Sequence, residues 1–518
     1  MSSPPKEEQY GAHVGRVARG AGISFFGQGV SRTLGYATQI ALARMYGPAS
    51  LGLYVLGTAA IEISNILAQF GMDNGVVRHV ARYRNEGDVA RMRGMILLAF
   101  WASLALSVAL GALIFFCAGF LSDAVFDKPF LEPLLQAFSA SLPFLTIMSM
   151  ALWAIQGFQT VKYPTYVRQI FQPVANLTLI VVFYLLGAQI LGAVAAYVAS
   201  MALGAVLAIF CLKRVFPEVF DRRTPTKYEA GALFSASGPM IVANVTQYLY
   251  AWIAVAILGV FASAEAVGIY HAANRTAGLS SVVLFAFAGI FGPMASSLHG
   301  SGSLEHLGSL YKDVSRWTFT ASLAIFLLTA FLATDIMAVF GEEFVAGWPA
   351  MLLIACAQLF SSSVGLTGRI LAMTGHQKIV MLATVGATVV AVGASFALVP
   401  FFGLIGAAIA TAIAIVFSNL ATLFSVNRLL GFWPYDRLYV KSVIAGALAG
   451  TAAYLCKLAL PLPPGIPTLL VLAPLFMLAF AGILLALGIS PSDRQFLGAF
   501  WTAARRATRR GDRNTPPE

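Results

Sequence analysis

Fourteen apolar stretches, each long enough to cross a bilayer, run through this 518-residue chain. A helix rises about 1.5 Å per residue, so roughly 20 apolar residues cover the hydrocarbon core. The stretches lie near residues 20–46, 51–72, 95–120, 134–157, 166–187, 190–212, 230–260 and 266–296. Six more follow near 315–340, 350–374, 379–400, 403–427, 441–460 and 466–489. The expected fold class is an all-α polytopic membrane protein with 14 transmembrane helices.

Positive charge tests that threading. With both termini in the cytoplasm, the inner segments hold 27 of the 33 Lys and Arg residues. Only Lys128 and Lys457 fall outside, and shifting any middle span would scatter the charges. The net charge of +11 therefore reads as a topology signal plus attraction to anionic headgroups, and nucleic acid is not an expected partner. A hydrophobic share of 59% and a mean hydropathy of +0.80 agree with a lipid-solvated chain.

Several chemistries lack their parts. The opening residues MSSPPKEEQYGAHVG have no apolar core, so no cleaved signal peptide is expected. Cys117, Cys211, Cys356 and Cys456 lack metal-like spacing and read as small core hydrophobes. No glycine-rich loop ending in Lys-Ser or Lys-Thr is present, and the longest outer loop, near 121–133, is too short for a catalytic domain. No enzyme activity, metal or cofactor is expected.

The second half repeats the first. Gly52-Leu53-Tyr54 aligns with Gly268-Ile269-Tyr270 at an offset of 216, and Gln156-Gly157 with Thr374-Gly375 at 218. Gly192 then aligns with Gly406 at 214. Six spans separate equivalent helices, so the halves share orientation as a parallel repeat, leaving spans 13 and 14 outside it.

Polar residues inside the spans fall in stripes. Successive residues turn about 100° on a helix, which groups Ser24, Gln28, Arg32, Tyr36 and Gln39 in span 1. Span 2 carries Thr58, Glu62, Asn65, Gln69 and Asp73; span 7 carries Asn244, Thr246, Gln247 and Tyr248. His271, Asn274 and Arg275 share a side of span 8, and Gln358, Ser362, Gly365 and Arg369 a side of span 10. A charge at mid-bilayer costs roughly 2.5–3.5 kcal/mol, so these stripes face protein or a wet cavity. Arg32 and Glu62 have a structural alternative as an ion pair between neighbouring spans. Arg44, before Gly47-Pro48, reads as tying a turn, and His271 as a satisfied interior histidine. Arg32, Arg275 and Arg369 outnumber Glu62, the one carboxylate well inside the spans. That surplus suits an anion, since the guanidinium fork matches phosphate oxygens.

The segment LARMYGPASLGLYVLG, followed by VVRHVARYRNEGDVARMRG, resembles the polysaccharide-transporter or Wzx-type oligosaccharide flippases. These belong to the multidrug/oligosaccharidyl-lipid/polysaccharide (MOP) exporter superfamily. The resemblance implies two six-helix lobes around a central cavity, alternating between inward-open and outward-open forms. It implies boundaries of 1–19 for an N-terminal segment, 20–212 and 230–427 for the lobes, and 213–229 for their linker. Spans 13 and 14 with their preceding loop take 428–489, and a basic tail takes 490–518. The implied cargo is a polyprenyl-pyrophosphate-linked oligosaccharide, flipped to the outer leaflet of the cell (inner) membrane. Arg32, Arg275 and Arg369 would hold the diphosphate, with Gln28, Tyr36, Asn244, Gln247 and Asn274 bonding to hydroxyls. By analogy with the lipid II flippases, spans 13 and 14 offer an apolar groove to the lipid tail. Coupling is expected to membrane potential, H+ or Na+, with Glu62 the candidate ion-binding residue. Membrane lipids and the glycosyltransferases and polymerase of the same pathway are the other expected partners. Three readings stay beside this one: a lipid II-type flippase, a cation-coupled multidrug exporter, and a membrane polymerase or ligase of lipid-linked sugars.

Overall fold

A computed structural model describes residues 6–459, 465–488 and Asp493. All regular structure among them is helical. In order these are α1 (Lys6–Gln69), α2 (Met72–Glu86), α3 (Val89–Phe120), α4 (Leu131–Ser139), α5 (Ser141–Gly157), α6 (Lys162–Pro164), α7 (Gln172–Leu185), α8 (Ile190–Val215) and α9 (Ala230–Phe261). Then come α10 (Ala264–Ala277), α11 (Ser281–Gly300), α12 (Leu304–Phe331), α13 (Ala333–Ala338), α14 (Trp348–Val364), α15 (Thr367–Met373), α16 (Gln377–Leu430), α17 (Tyr439–Ala459) and α18 (Ile466–Ala486). The expected basic tail lies outside the described residues apart from Asp493.

Eleven of these helical segments are long and apolar enough to span a membrane, or twelve with the bent pair over 264–300. The sequence had suggested fourteen. Within that count α1 and α16 each join two helices across a sharp kink, and each covers two of the expected spans. Each breaks where the sequence put a turn: α1 at Gly47 (φ +78°), just before Pro48, and α16 at Gly403 (φ +52°). Both values lie in the left-handed region that glycine alone enters without strain. Large apolar side chains point outward along the spans: Phe116 and Phe401 are 82% exposed and Leu185 is 77% exposed. Apolar surface on this scale needs lipid as its solvent, so the chain is a multi-pass membrane protein.

The surface segment after α1 is built by local signals. Glycines in the left-handed conformation bound α2 at both ends, Gly71 and Gly87 each with φ +71°. Asp88 then caps α3, its carboxylate accepting from the Arg91 N–H at 2.9 Å. A π-helical turn, Thr165–Phe171, leads into α7.

By internal packing the chain divides into two compact units. The first joins residues 1–278 with 337–357 and 377–421; the second joins 279–336, 358–376 and 422–518. Within the first unit α9 and α10 pack with the first six expected spans, and α1 lies against α10 in antiparallel fashion. Their closest approach is reciprocal. A Cβ on Gly52 would run into the Ala264 carbonyl, and one on Gly268 would run into the Pro48 carbonyl. Ala264 stands 216 residues after Pro48, the same offset that relates Gly268 to Gly52. The repeat motif thus packs on its own copy, backbone to backbone. Neighbouring contacts follow suit: Tyr54 meets Tyr197 edge to face at 6.3 Å, and Tyr270 bonds Thr411 at 2.7 Å.

In the second unit α17 and α18 pack on α12 through Ala445, Ala449, Phe476 and Phe480. Small residues at the seam, with Gly446 against Leu327 and Gly450 against Phe331, let α17 approach closely. The pair is fastened at both ends. At one end Arg316 bonds Asp313, Asp436 and Asp493 at 2.8–2.9 Å, and Trp317 also donates to Asp493. At the other, buried Asp335 takes Lys457 at 2.7 Å and the Gly465 N–H at 3.1 Å. Of the four cysteines, Cys211 alone is buried and all four are free. Cys356 is exposed on α14, which corrects its reading as a core hydrophobe: its side of the helix faces outward.

Candidate functional site

The seam between α1 and α10 gathers polar side chains from the stripes of spans 1 and 8. Tyr36 bonds Thr276 at 3.1 Å, and Gln39 bonds His271 at 2.6 Å. Gly35 leaves room for Arg275, whose guanidinium stands 3.3 Å from where a Cβ would lie. Arg32 and Arg275 are near enough for their charges to act on each other. Two guanidinium groups within electrostatic range of each other make this part of the seam electropositive. Asn274 beside them is half-buried, and Gln28, one helical turn before Arg32, is exposed.

An aromatic stack walls this seam. Trp252 of α9 lies parallel to His271 at 5.7 Å and to Tyr248 at 5.9 Å. Tyr248 in turn donates to the Ala59 carbonyl of α1. The buried histidine therefore has one hydrogen bond and a ring partner, but its Nδ1 is buried without a partner, so it is only half satisfied, short of the satisfied interior histidine expected.

Glu62 sits on the other side of α1. The charge acting on it is Arg168, not Arg32, so the alternative pairing of Arg32 with Glu62 is replaced. Arg168 lies in the π-helical turn and also donates to Ser149 at 3.3 Å. π-helical turns widen a helix locally and occur often at functional sites. Tyr197 and Tyr248 also lie in the field of Glu62, and Asn65 one turn on accepts from Thr146 at 3.1 Å. From sequence Arg168 looked like one more topology charge, because it follows Lys162 closely. Helical spacing alone carries no sign that it would face a carboxylate on α1.

The remaining candidates are placed apart. Asn244 donates to Asp73 at 3.2 Å, and Gln247 is exposed on α9. Arg369 is exposed on α15 and belongs to the second unit. Arg44 donates to the carbonyls of Ala338 and Val339, each at 2.7 Å, which is the turn-tying role expected for it.

The second unit carries a separate feature between α12, α17 and α18. It is a shallow, mainly apolar recess lined by Leu328, Phe331, Leu332, Ala453, Leu472, Phe476 and Lys457.

Comparison with known proteins fits this geometry. A probable low-salt glycan biosynthesis flippase of Haloferax volcanii, Agl15, is 26% identical over 40% of this chain. Stage V sporulation protein B of Bacillus subtilis is 27% identical over 30% of it. The matches span only 42% and 29% of those two relatives. An uncharacterized membrane protein of Methanocaldococcus jannaschii, MJ1068, is 20% identical over 82% of the chain and 86% of its own length. Among solved structures, the lipid II flippase MurJ in an inward closed conformation aligns over 88% of this chain and 97% of its own. Its TM-score is 0.71 at 14% identity. An inward-facing multidrug resistance MATE transporter of the MOP superfamily aligns over 78% of this chain and 95% of its own, at a TM-score of 0.65 and 17% identity. The fold is that of these transporters. Residues 17–299, more than half of the chain, match the family model described as polysaccharide biosynthesis protein, and the chain belongs to that family.

Proposed function

We propose that this protein is a flippase that carries a polyprenyl-pyrophosphate-linked oligosaccharide from the cytoplasmic to the outer leaflet of the cell (inner) membrane by alternating access. The observation that carries the reading is the placement of Arg32 and Arg275 within electrostatic range of each other, in a chain of the polysaccharide biosynthesis family. A sugar head cannot cross hydrocarbon unaided, whereas a polyprenyl tail stays in it. Two guanidinium groups offer planar donors to the diphosphate, and Tyr36, Gln28 and Asn274 offer bonds to hydroxyls. Arg369, Asn244 and Gln247 belong to the same expectation. The apolar recess between α12, α17 and α18 suits the tail. Residue roles here are those of binding and release, not catalysis.

Both the Agl15 name and the MurJ name speak of flippases, of a glycan pathway and of lipid II. A lipid II-type precursor shares the diphosphate and the tail, so it is the nearest second reading. A multidrug exporter of the same fold would carry cations, and the arginine surplus disfavours it. The arginine-rich ends of the spans belong in the cytoplasm on this reading, as do both termini.

The test is transport in proteoliposomes with a fluorescent polyprenyl-pyrophosphate oligosaccharide. Arg32→Ala and Arg275→Ala are expected to abolish movement while leaving the protein folded. Normal transport by both variants overturns the diphosphate clamp. Movement of drug cations, with none of the glycolipid, transfers the chain to the multidrug reading. Glu62 is assigned ion coupling to H+ or Na+; an unchanged response of Glu62→Gln to imposed gradients removes that role.

A further inference from the structure

The segment that joins α8 to α9 is held down, not slack. Arg93, on the first turns of α3, is 8% exposed. It donates to the carbonyls of Val219 and Thr224 and, at 2.7 Å, to the Thr226 hydroxyl. The Lys227 N–H then donates to the Ala90 carbonyl at 3.0 Å, and Gly94 permits that strand of backbone to lie directly on α3. Residues 219–227 are thereby fixed to α3. Any movement of α9 has to begin beyond them.

Glu229 stands at that point, immediately before the first residue of α9. Its carboxylate takes the Tyr83 hydroxyl and lies 3.1 Å from Arg91, so three charged or polar groups from α2, α3 and α9 meet there. Beyond it the first turns of α9 run along α2. Gly75 faces Leu233 and Ser237, where a Cβ would stand 3.1 and 3.2 Å from their side chains. Gly71 faces the Ser237 and Ile241 backbone, and Asp73 accepts from Asn244 at 3.2 Å.

The chemistry of this contact differs from that of a permanent helix seam. Glycine, serine, aspartate and asparagine recur in it, beside buried Leu233, with Met240 and the Phe70–Phe234 ring pair at its edge. One oxygen of Asp73 is buried without a donor, so the contact is weakest at its Asp73 end. Bonds of this kind exchange with water at little net cost when the helices part. The polar latch at Glu229, next to a fixed anchor, supplies what glycine and serine do not.

We propose that α9 swings away from α2 about Glu229, and that this parting is the gate admitting cargo from the arginine-rich side. Tyr83 and Arg91 release the carboxylate as it opens. The proposal rests on the flippase reading for the identity of the cargo, but the gate itself is testable without cargo.

The test uses the full chain with its four native cysteines replaced, carrying Gly75→Cys and Ser237→Cys. Oxidation is expected to link the pair in membranes and to cut glycolipid transport at least about tenfold, with recovery on reduction. Full transport by the linked protein, or failure of the pair to link, overturns the gate. A separate variant, Gln28→Cys, is labelled from the arginine-rich side with a membrane-impermeant maleimide. Adding Glu229→Gln or Tyr83→Phe is expected to speed labelling several-fold, and linking α2 to α9 to slow it. Unchanged labelling in both cases overturns the gate. If labelling responds while the unmodified protein moves no glycolipid, the gate stands and the cargo assignment falls.

Discussion

Arg93 shows how much one residue outside the candidate site decides. Its guanidinium serves three acceptors that have no comparable donor in reach, in a site from which water is largely excluded. Removing it leaves the buried Val219 carbonyl and the half-buried Thr224 carbonyl without this donor, at a cost of about 1–3 kcal/mol. Arg93→Ala is therefore expected to lower the thermal unfolding midpoint in detergent by several degrees. Arg93→Lys is expected to recover only part of the loss, because an ammonium cannot reproduce the planar fork. A midpoint unchanged by Arg93→Ala refutes the anchor. In sequence this arginine stood in a run of five that reads as topology, and nothing in its spacing distinguished it. Glu62 is the parallel case inside the membrane: the stripe on span 2 marked it, but the charge acting on it, Arg168, stood at the start of another span and read as a topology signal.

At the scale of elements, the seam between α1 and α10 depends on two glycines. Each fits against a carbonyl of the other element, and backbone cannot turn aside as a side chain does. Gly52→Ala and Gly268→Ala are each expected to destabilise the protein by about 1–3 kcal/mol and to slow transport by forcing the helices apart. Gly29 is the control. Space around it is open, so Gly29→Ala is expected to be neutral or mildly stabilising, since alanine costs less backbone entropy in a helix than glycine. Thermal unfolding of the three variants decides it; equal effects at all three positions refute the close-contact account. The duplicated Gly-x-Tyr motif was legible in the sequence as a repeat. That its two copies would touch was not, because an offset along the chain says nothing of proximity in space.

At the scale of the whole molecule, the predicted quantity is a dependence on voltage. A diphosphate diester carries two negative charges, and moving each outward through 100 mV, inside negative, gains about 2.3 kcal/mol. Glycolipid movement is expected to rise with inside-negative potential and to fall when the potential is reversed, with no added ion gradient. Transport indifferent to potential and strictly dependent on sodium or protons refutes this energetics and directs attention to Glu62. The arginines that bear on the question, Arg32 and Arg275, were both visible as intramembrane charges with too few carboxylates to balance them.

The sequence by itself determined that the chain is helical, crosses the membrane many times, is internally duplicated, and carries cations within its spans. Those properties follow from periodicity, span length and charge sidedness, each of which acts locally or sums along the chain. Tertiary structure alone decided which polar residues meet: Gln39 with His271, Asn244 with Asp73 and Glu229 with Tyr83, with Arg275 in the field of Arg32 and Glu62 in that of Arg168. It also set the sharp kinks at Gly47 and Gly403 that join the paired helices of α1 and of α16. A helix announces its own face, but the partner of that face is set by packing among many helices of similar composition. Apolar residues in lipid have little power to choose one neighbour over another, so the choice rests on glycine contacts and a few polar bonds.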